Sequence, residues 1–149
     1  MKAGELASAN VATITVDETL SKAAHRMRRD HVGDLVVVES DGTSRRPVGI
    51  ITDRDLVMAL DRVGAETFEQ TSVGSAMSES LILAKKGEPV HEVLQNMRDN
   101  GVRRVPVIDI DDDLVGILTL DDLLGYYGDG VMTMVELVQA EISREVAGE

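Results

Sequence analysis

The chain has 149 residues, about one compact domain, and 43% hydrophobic residues support a real core although only 2% are aromatic. A net charge of −12 repels phosphate backbones and anionic membrane surfaces, so general nucleic-acid binding and membrane association are not expected. The absence of cysteine excludes a disulfide framework and thiolate chemistry, and fits a reducing compartment.

The opening MKAGELASANV lacks the apolar core of a signal peptide, and no apolar run approaches the roughly 18 residues of a membrane span. A soluble, cytoplasmic protein is expected. VATITV (11–16) reads as a short extended entry. DETLSKAAHRMRRDH (17–31) reads as an amphipathic helix, with Leu20, Ala23, Ala24 and Met27 at helical spacing and Thr19 at its start. DLVVVE (34–39) and VGIIT (48–52) read as apolar strands around the turn ESDG. DRDLVMALDRV (53–63) begins a second helix with Asp in its first turn, where the helix dipole favours it.

GAETFEQTSVGSAM (64–77) reads as a linker, after which the order recurs. LILAKK (81–86) is an entry and GEPVHEVLQNMRDN (87–100) a helix, with Val90, Val93, Leu94 and Met97 on one face and Pro89 at its start. RVPVID (104–109) and VGILT (115–119) are strands around the turn DIDDD, and LDDLLGYY (120–127) begins a helix. The tail VMTMVELVQAEISREV (131–146) reads as one more helix, with Val131, Val135, Val138 and Ile142 as its apolar stripe.

The recurrence has a register. Shifted by 70 positions, Gly4 falls on Gly74, Ser8 on Ser78, Glu18 on Glu88, Met27 on Met97, Val32 on Val102 and Val37 on Val107. Past the first turn, which is three residues longer, a shift of 67 places Gly49, Thr52, Asp55 and Leu56 on Gly116, Thr119, Asp122 and Leu123. Each unit is β-α-β-β-α. Neither half is expected to be stable alone at this size, so their sheets should bury apolar faces against each other in a pseudo-twofold pair. The expected organisation is repeat 1 at 1–66, a linker at 67–76, repeat 2 at 77–128 and a helical tail at 129–149, an α+β fold.

PVGIITDRDL, RRVPVID and LVGILTLDDL, at matching places in two matching units, resemble a tandem pair of CBS (cystathionine β-synthase-type) domains, a Bateman module, in the manner of small stand-alone bacterial and archaeal signalling proteins. The resemblance covers about residues 4 to 127. It implies adenosine-containing ligands in clefts between the repeats: AMP, ADP, ATP, S-adenosylmethionine and, in some members, NAD or coenzyme A. In the pattern G-h-h-T/S-x-x-D the Asp holds the ribose hydroxyls and the Thr or Ser contacts phosphate. That assigns Thr52 and Asp55 to one cleft, and Thr119 and Asp122 to the other. The adenine is expected near Ala12, Thr13 and Val32 in the first copy, and near Ile82 and Val102 in the second. For the Val and Ile positions, simple core packing is an equally good account.

The residue chemistry agrees. A carboxylate accepts from both hydroxyls of a cis-diol, and a Thr hydroxyl with free N–H groups at a helix start suits phosphate oxygens. Three residues from Thr to Asp span about one helical turn, so both can serve one cleft. Gly49 and Gly116 would let a ligand approach the backbone. The same Thr-x-x-Asp spacing also makes an ordinary helix N-cap.

An anion bound by so acidic a chain needs a local basic cluster. Arg103 and Arg104 in GVRRVPV supply one, for which surface ion pairing is the plainer account. The first repeat has Gly33 and Asp34 there, and Asp34 would repel a phosphate; Arg54 in TDRD would compensate. The cleft holding Thr52, Arg54 and Asp55, with Arg103 or Arg104 reaching across, is therefore the better expected site for a phosphorylated nucleotide.

Other chemistry finds little support. DIDDDL lacks the Gly and Glu of a calcium loop, His25, His31 and His91 have no metal spacing, and no nucleophile motif or P-loop is present. No catalytic residue, catalytic cofactor or metal is expected. The leading reading is a regulatory sensor that binds an adenine nucleotide and changes shape or assembly, as a homodimer with an unidentified protein target. The alternatives are an interaction module with unfilled clefts, a module binding NAD, S-adenosylmethionine or coenzyme A instead, and a nucleotide hydrolase, for which the chain lacks a base–nucleophile pair or a metal constellation.

Overall fold

The structure, a computed structural model, describes residues 1–148. It contains two three-stranded sheets. The first joins β1 (Thr13–Thr15), β2 (Asp34–Ser40) and β3 (Arg45–Thr52), with β1 parallel and β3 antiparallel to β2. The second joins β4 (Ala84–Lys85), β5 (Arg104–Ile108) and β6 (Leu114–Thr119) in the same order and senses. The expected α+β pair of β-α-β-β-α units is observed.

Helices cover the outer face of each sheet. α1 is the short turn Ala3–Leu6, α2 spans Leu20–Asp30, α3 Asp53–Val63, α4 Ala65–Phe68, α5 Val90–Asn100 and α6 Leu120–Ala147. Thr19 caps α2 by accepting from Lys22 N–H at 3.2 Å. α2 ends at His31 and α5 at Gly101, both in the left-handed conformation that closes helices. The apolar stripe of α2 (Leu20, Ala23, Met27) packs on Leu35, Val37 and Ile51. That of α5 (Val90, Val93, Met97) packs on Val105, Val107 and Leu118.

Strand alternation supplies the third layer. Leu35 and Val37 face α2, so Val36 and Val38 point the other way. They meet Leu114 and Ile117 of the second sheet in a separate apolar cluster. This is the sheet-to-sheet packing expected for a pseudo-twofold pair.

Two expectations need amendment. The stretch read as a linker is structured: it holds α4 and a 3-10 turn at Val73–Ser75, and Val73 is fully buried in the first repeat's core. Its counterpart Ala3 is buried in the second repeat's core. Each unit's opening turn thus packs on the other unit. Backbone bridges fix the exchange, Ser78 N–H to Ile50 O at 2.9 Å and Ser8 N–H to Ile117 O at 2.9 Å. The tail is not a separate helix either. It continues α6, because nothing from Leu120 onward breaks the helical ladder and the chain has no proline there.

Candidate functional site

The topology gathers the predicted residues. β1 and β2 are parallel and β3 antiparallel, so one sheet end carries the start of β1, the start of β2 and the end of β3. Ala12 and Thr13 lie at the first, Val32 to Asp34 at the second, and Thr52 to Asp55 at the third. Asp34 pairs in register with Thr52, and Asp53 N–H donates to Gly33 O at 2.9 Å. The second sheet repeats this: Arg104 pairs with Thr119, and Leu120 N–H donates to Arg103 O at 2.8 Å. Ile82 lies just before β4 and Val102 just before β5.

The two ends meet. Arg104 Nη1 lies 2.8 Å from Asp34 Oδ2. These are equivalent positions under the 70-residue shift, so their contact marks the pseudo-twofold axis. Arg104 does reach across to the first repeat, and it neutralises the Asp34 that was expected to repel a phosphate. Burial pushes the Asp34 carboxyl above its ordinary range, while Arg104 pulls it back and Asp53 adds to the rise.

Thr52 and Asp55 form a reciprocal cap. Asp55 N–H donates to Thr52 Oγ1 at 3.1 Å, and Thr52 N–H to Asp55 Oδ2 at 2.8 Å. Thr119 and Asp122 do the same, at 3.2 Å and 2.9 Å, and Thr119 Oγ1 also donates to Asp122 Oδ2 at 2.8 Å. The capping account of this spacing is therefore correct for the chain alone. It uses Oδ2 of each carboxylate; Oδ1 of Asp55 and of Asp122 has no protein partner among the described residues. All four side chains are partly exposed.

Gly49 and Gly116 have a different role from the one expected. Both are buried. A Cβ on Gly49 would meet Ser78 O at 2.7 Å and Met77 Sδ at 2.9 Å, and one on Gly116 would meet Ser8 O at 2.9 Å. The backbone that approaches these glycines is the chain's own exchanged segment, which fills the space a ligand was expected to use.

The basic residues divide. Arg54 and Arg103 are exposed and their side chains have no hydrogen-bond or ion-pair partner among the described residues. Arg104 is committed to Asp34. The sequence reading missed Arg26 and Arg29, which line a cleft of about 610 Å³ together with Asn10, Ala12, Thr13 and Val32. Arg26 donates to Thr13 O at 2.8 Å and to both oxygens of Glu18, holding that carboxyl below its usual range. The run HRMRRD, three arginines in four residues of an acidic chain, was the available signal. A larger hollow of about 1070 Å³ lies at the other end of the second sheet, around Lys2, Lys86 and Ile108, and holds none of the predicted residues.

Among the described residues no three His, Asp or Glu side chains converge as a metal site, and no helix is long and apolar enough to cross a membrane. In the acidic turn, Asp109 Oδ1 accepts from Asp111 and Asp113 N–H groups, so it serves the turn itself.

Comparison with known proteins places this geometry. The uncharacterized protein MK0525 of Methanopyrus kandleri is 34% identical over 121 residues, 81% of this chain and 60% of that protein, so the chain spans under two thirds of that relative's length. Three solved structures share the fold. The CBS domain pair of protein MJ0100, in complex with 5'-methylthioadenosine and S-adenosyl-L-methionine, matches at TM-score 0.71 and 25% identity over 87% of this chain and 98% of that one. Hypoxic Response Protein I, with two coordinated zinc ions, matches at TM-score 0.71 and 31% identity over 83% and 96%. The cytosolic domain of the Mg2+ channel MgtE, in complex with ATP, matches at TM-score 0.71 and 25% identity over 84% and 48%. The family model of the CBS domain matches twice, at residues 3–62 and 73–129, and the chain therefore belongs to the CBS domain family as a tandem pair.

Proposed function

We propose that the chain is a regulatory module, not an enzyme, that binds an AMP-, ADP- or ATP-type nucleotide in the clefts between its repeats and changes conformation or assembly on binding. The observation that carries this reading is the convergence of both Thr-x-x-Asp phrases with both β2-type strand starts at sheet ends that touch through Arg104 and Asp34. Each capping Asp keeps Oδ1 for a ribose hydroxyl. Adenine lies against the aliphatic Ala12 and Val32 in the cleft they line with Thr13, or against Ile82 and Val102 on the other side. Arg54 and Arg103, whose side chains have no protein partner among the described residues, are the cations free to meet phosphate; Arg26 and Arg29 line the adenine cleft but are held by Glu18 and Asp30.

The bound ligands of MJ0100 and MgtE, all adenosine compounds, support the class. A ligand touching both halves selects the arrangement in which they close on it, with the Arg104–Asp34 contact at the hinge line. Val57, Met58 and Leu60 on α3, and Leu124 and Tyr127 on α6, are exposed, and Val57 and Leu60 correspond to Leu124 and Tyr127 under the 67-residue shift. This repeated apolar face suits a cytoplasmic homodimer that responds to the ligand.

The test is a thermal-shift panel of AMP, ADP, ATP, S-adenosylmethionine, NAD and coenzyme A on nucleotide-free protein and on Asp55→Ala. Stabilisation by one ligand that is lost in the variant supports the reading. Stabilisation by none contradicts it.

A further inference from the structure

Helix α6 has 28 residues, about 42 Å, yet Leu123 is its one fully buried side chain. From Tyr127 to Gly148 every residue is exposed. Gly125, Gly128 and Gly130 weaken it as a free-standing helix, and helices in proteins draw most of their stability from packing an apolar face. Its stability must come from packing against something.

The sequence of the exposed helix specifies what. Leu124, Gly128, Val131, Val135, Val138 and Ile142 recur at alternating steps of four and three, the seam of a coiled coil. None of these positions carries a charge. At the flanking positions Gly125, Tyr127, Met132, Met134, Gln139 and Glu141, Glu141 alone is charged. Asp129, Glu136 and Arg144 stand off the seam. From Leu124 to Ile142 a chain of net charge −12 has thus kept like charge off the line along which two copies would touch, and Glu145, the next step of three, is the first charge on it and ends the seam. An anionic membrane is a poor occupant, because Asp129, Glu136, Glu141 and Glu145 outnumber the single basic Arg144 on this segment.

We propose that Gly128–Ser143 pairs, parallel and in register, with the same segment of a second copy, around Val131, Val135, Val138 and Ile142. The direction follows from continuity. Leu124, flanked by Tyr127, begins the stripe beside the body, and a parallel pair brings both bodies to the same end, so one twofold axis covers both. An antiparallel pair would part the bodies by the length of the helix. The pairing does not depend on nucleotide.

The chain has no native cysteine, so one introduced thiol is a unique probe. Val138→Cys puts it on the seam and Glu136→Cys on the opposite side, both exposed in one copy, so neither disturbs the body. Under mild oxidation without nucleotide, Val138→Cys should form a covalent dimer roughly tenfold faster than Glu136→Cys, because a parallel register sets each residue beside its own copy. Equal rates, or faster coupling of Glu136→Cys, overturn the proposal. The readout leaves the ligand reading untouched, since neither variant alters the clefts.

Discussion

Arg104 and Asp34 occupy the same place in the two repeats and bind each other across the axis that relates them, 2.8 Å apart. The Asp34 side chain is 13% exposed and that of Arg104 40%. Removing the cation leaves a largely buried carboxylate unpaired. Arg104→Ala should therefore cost about 1–2 kcal/mol at neutral pH, and the double variant with Asp34→Ala should recover part of that. Urea unfolding of the four proteins of the cycle measures it; additive losses would show that the pair is not coupled.

The same pair sets a pH dependence. Burial raises the folded-state pKa of Asp34 above its unfolded value, so the folded chain holds that proton more tightly. The contribution of this group to stability therefore rises as pH falls through the folded pKa. The cost of Arg104→Ala should shrink over the same window, because protonated Asp34 needs no cation. A cost that stays constant from pH 7 down to pH 4 would contradict this.

Glu18 behaves oppositely. The Arg26 hydrogen bonds lower its folded pKa, so its contribution is present above its unfolded value and is lost as pH falls through the folded one. Glu18→Gln should cost about 1–2 kcal/mol at pH 7 and almost nothing once the wild-type carboxyl is protonated. The variant should also loosen Arg26 from Thr13 O at the cleft edge. Urea midpoints at pH 7 and in acid check the sign.

Gly49→Ala and Gly116→Ala test whether these glycines serve the fold or a ligand. The added methyl would press on Ser78 O in the first case and Ser8 O in the second. Each should cost about 1–3 kcal/mol by overpacking. Unfolding by urea at pH 7 is the measurement. An unchanged midpoint combined with lost nucleotide binding would return the glycines to the binding site.

The repeat was legible because identities at a fixed offset need no knowledge of packing, and helices such as Leu20–Asp30 announce themselves by stripe and cap. Thr52 with Asp55 and Thr119 with Asp122 were legible as a repeated pair of helix caps for the same reason. What the offset could not show was which repeat each segment joins. Val73 reads as a residue in a polar linker, and its burial in the first core depends on a tertiary exchange. Gly49 was misread for that reason: its close neighbour Ser78 lies 29 residues further along the chain, invisible to local pattern. The Asp34–Arg104 pair was half visible. The two charges could be read, but not that equivalent positions touch at the axis. The end of α6 was hidden because apolar spacing predicts a stripe, not whether the body covers it.

The most direct test is isothermal titration of AMP and of ATP into nucleotide-free protein, wild type, Asp55→Ala and Asp122→Ala. The account predicts saturable binding of at least one nucleotide to the wild type, weakened roughly tenfold or more by loss of the carboxylate that meets its ribose. Binding of neither nucleotide to folded, nucleotide-free wild type would contradict it, as would binding unaffected by both substitutions.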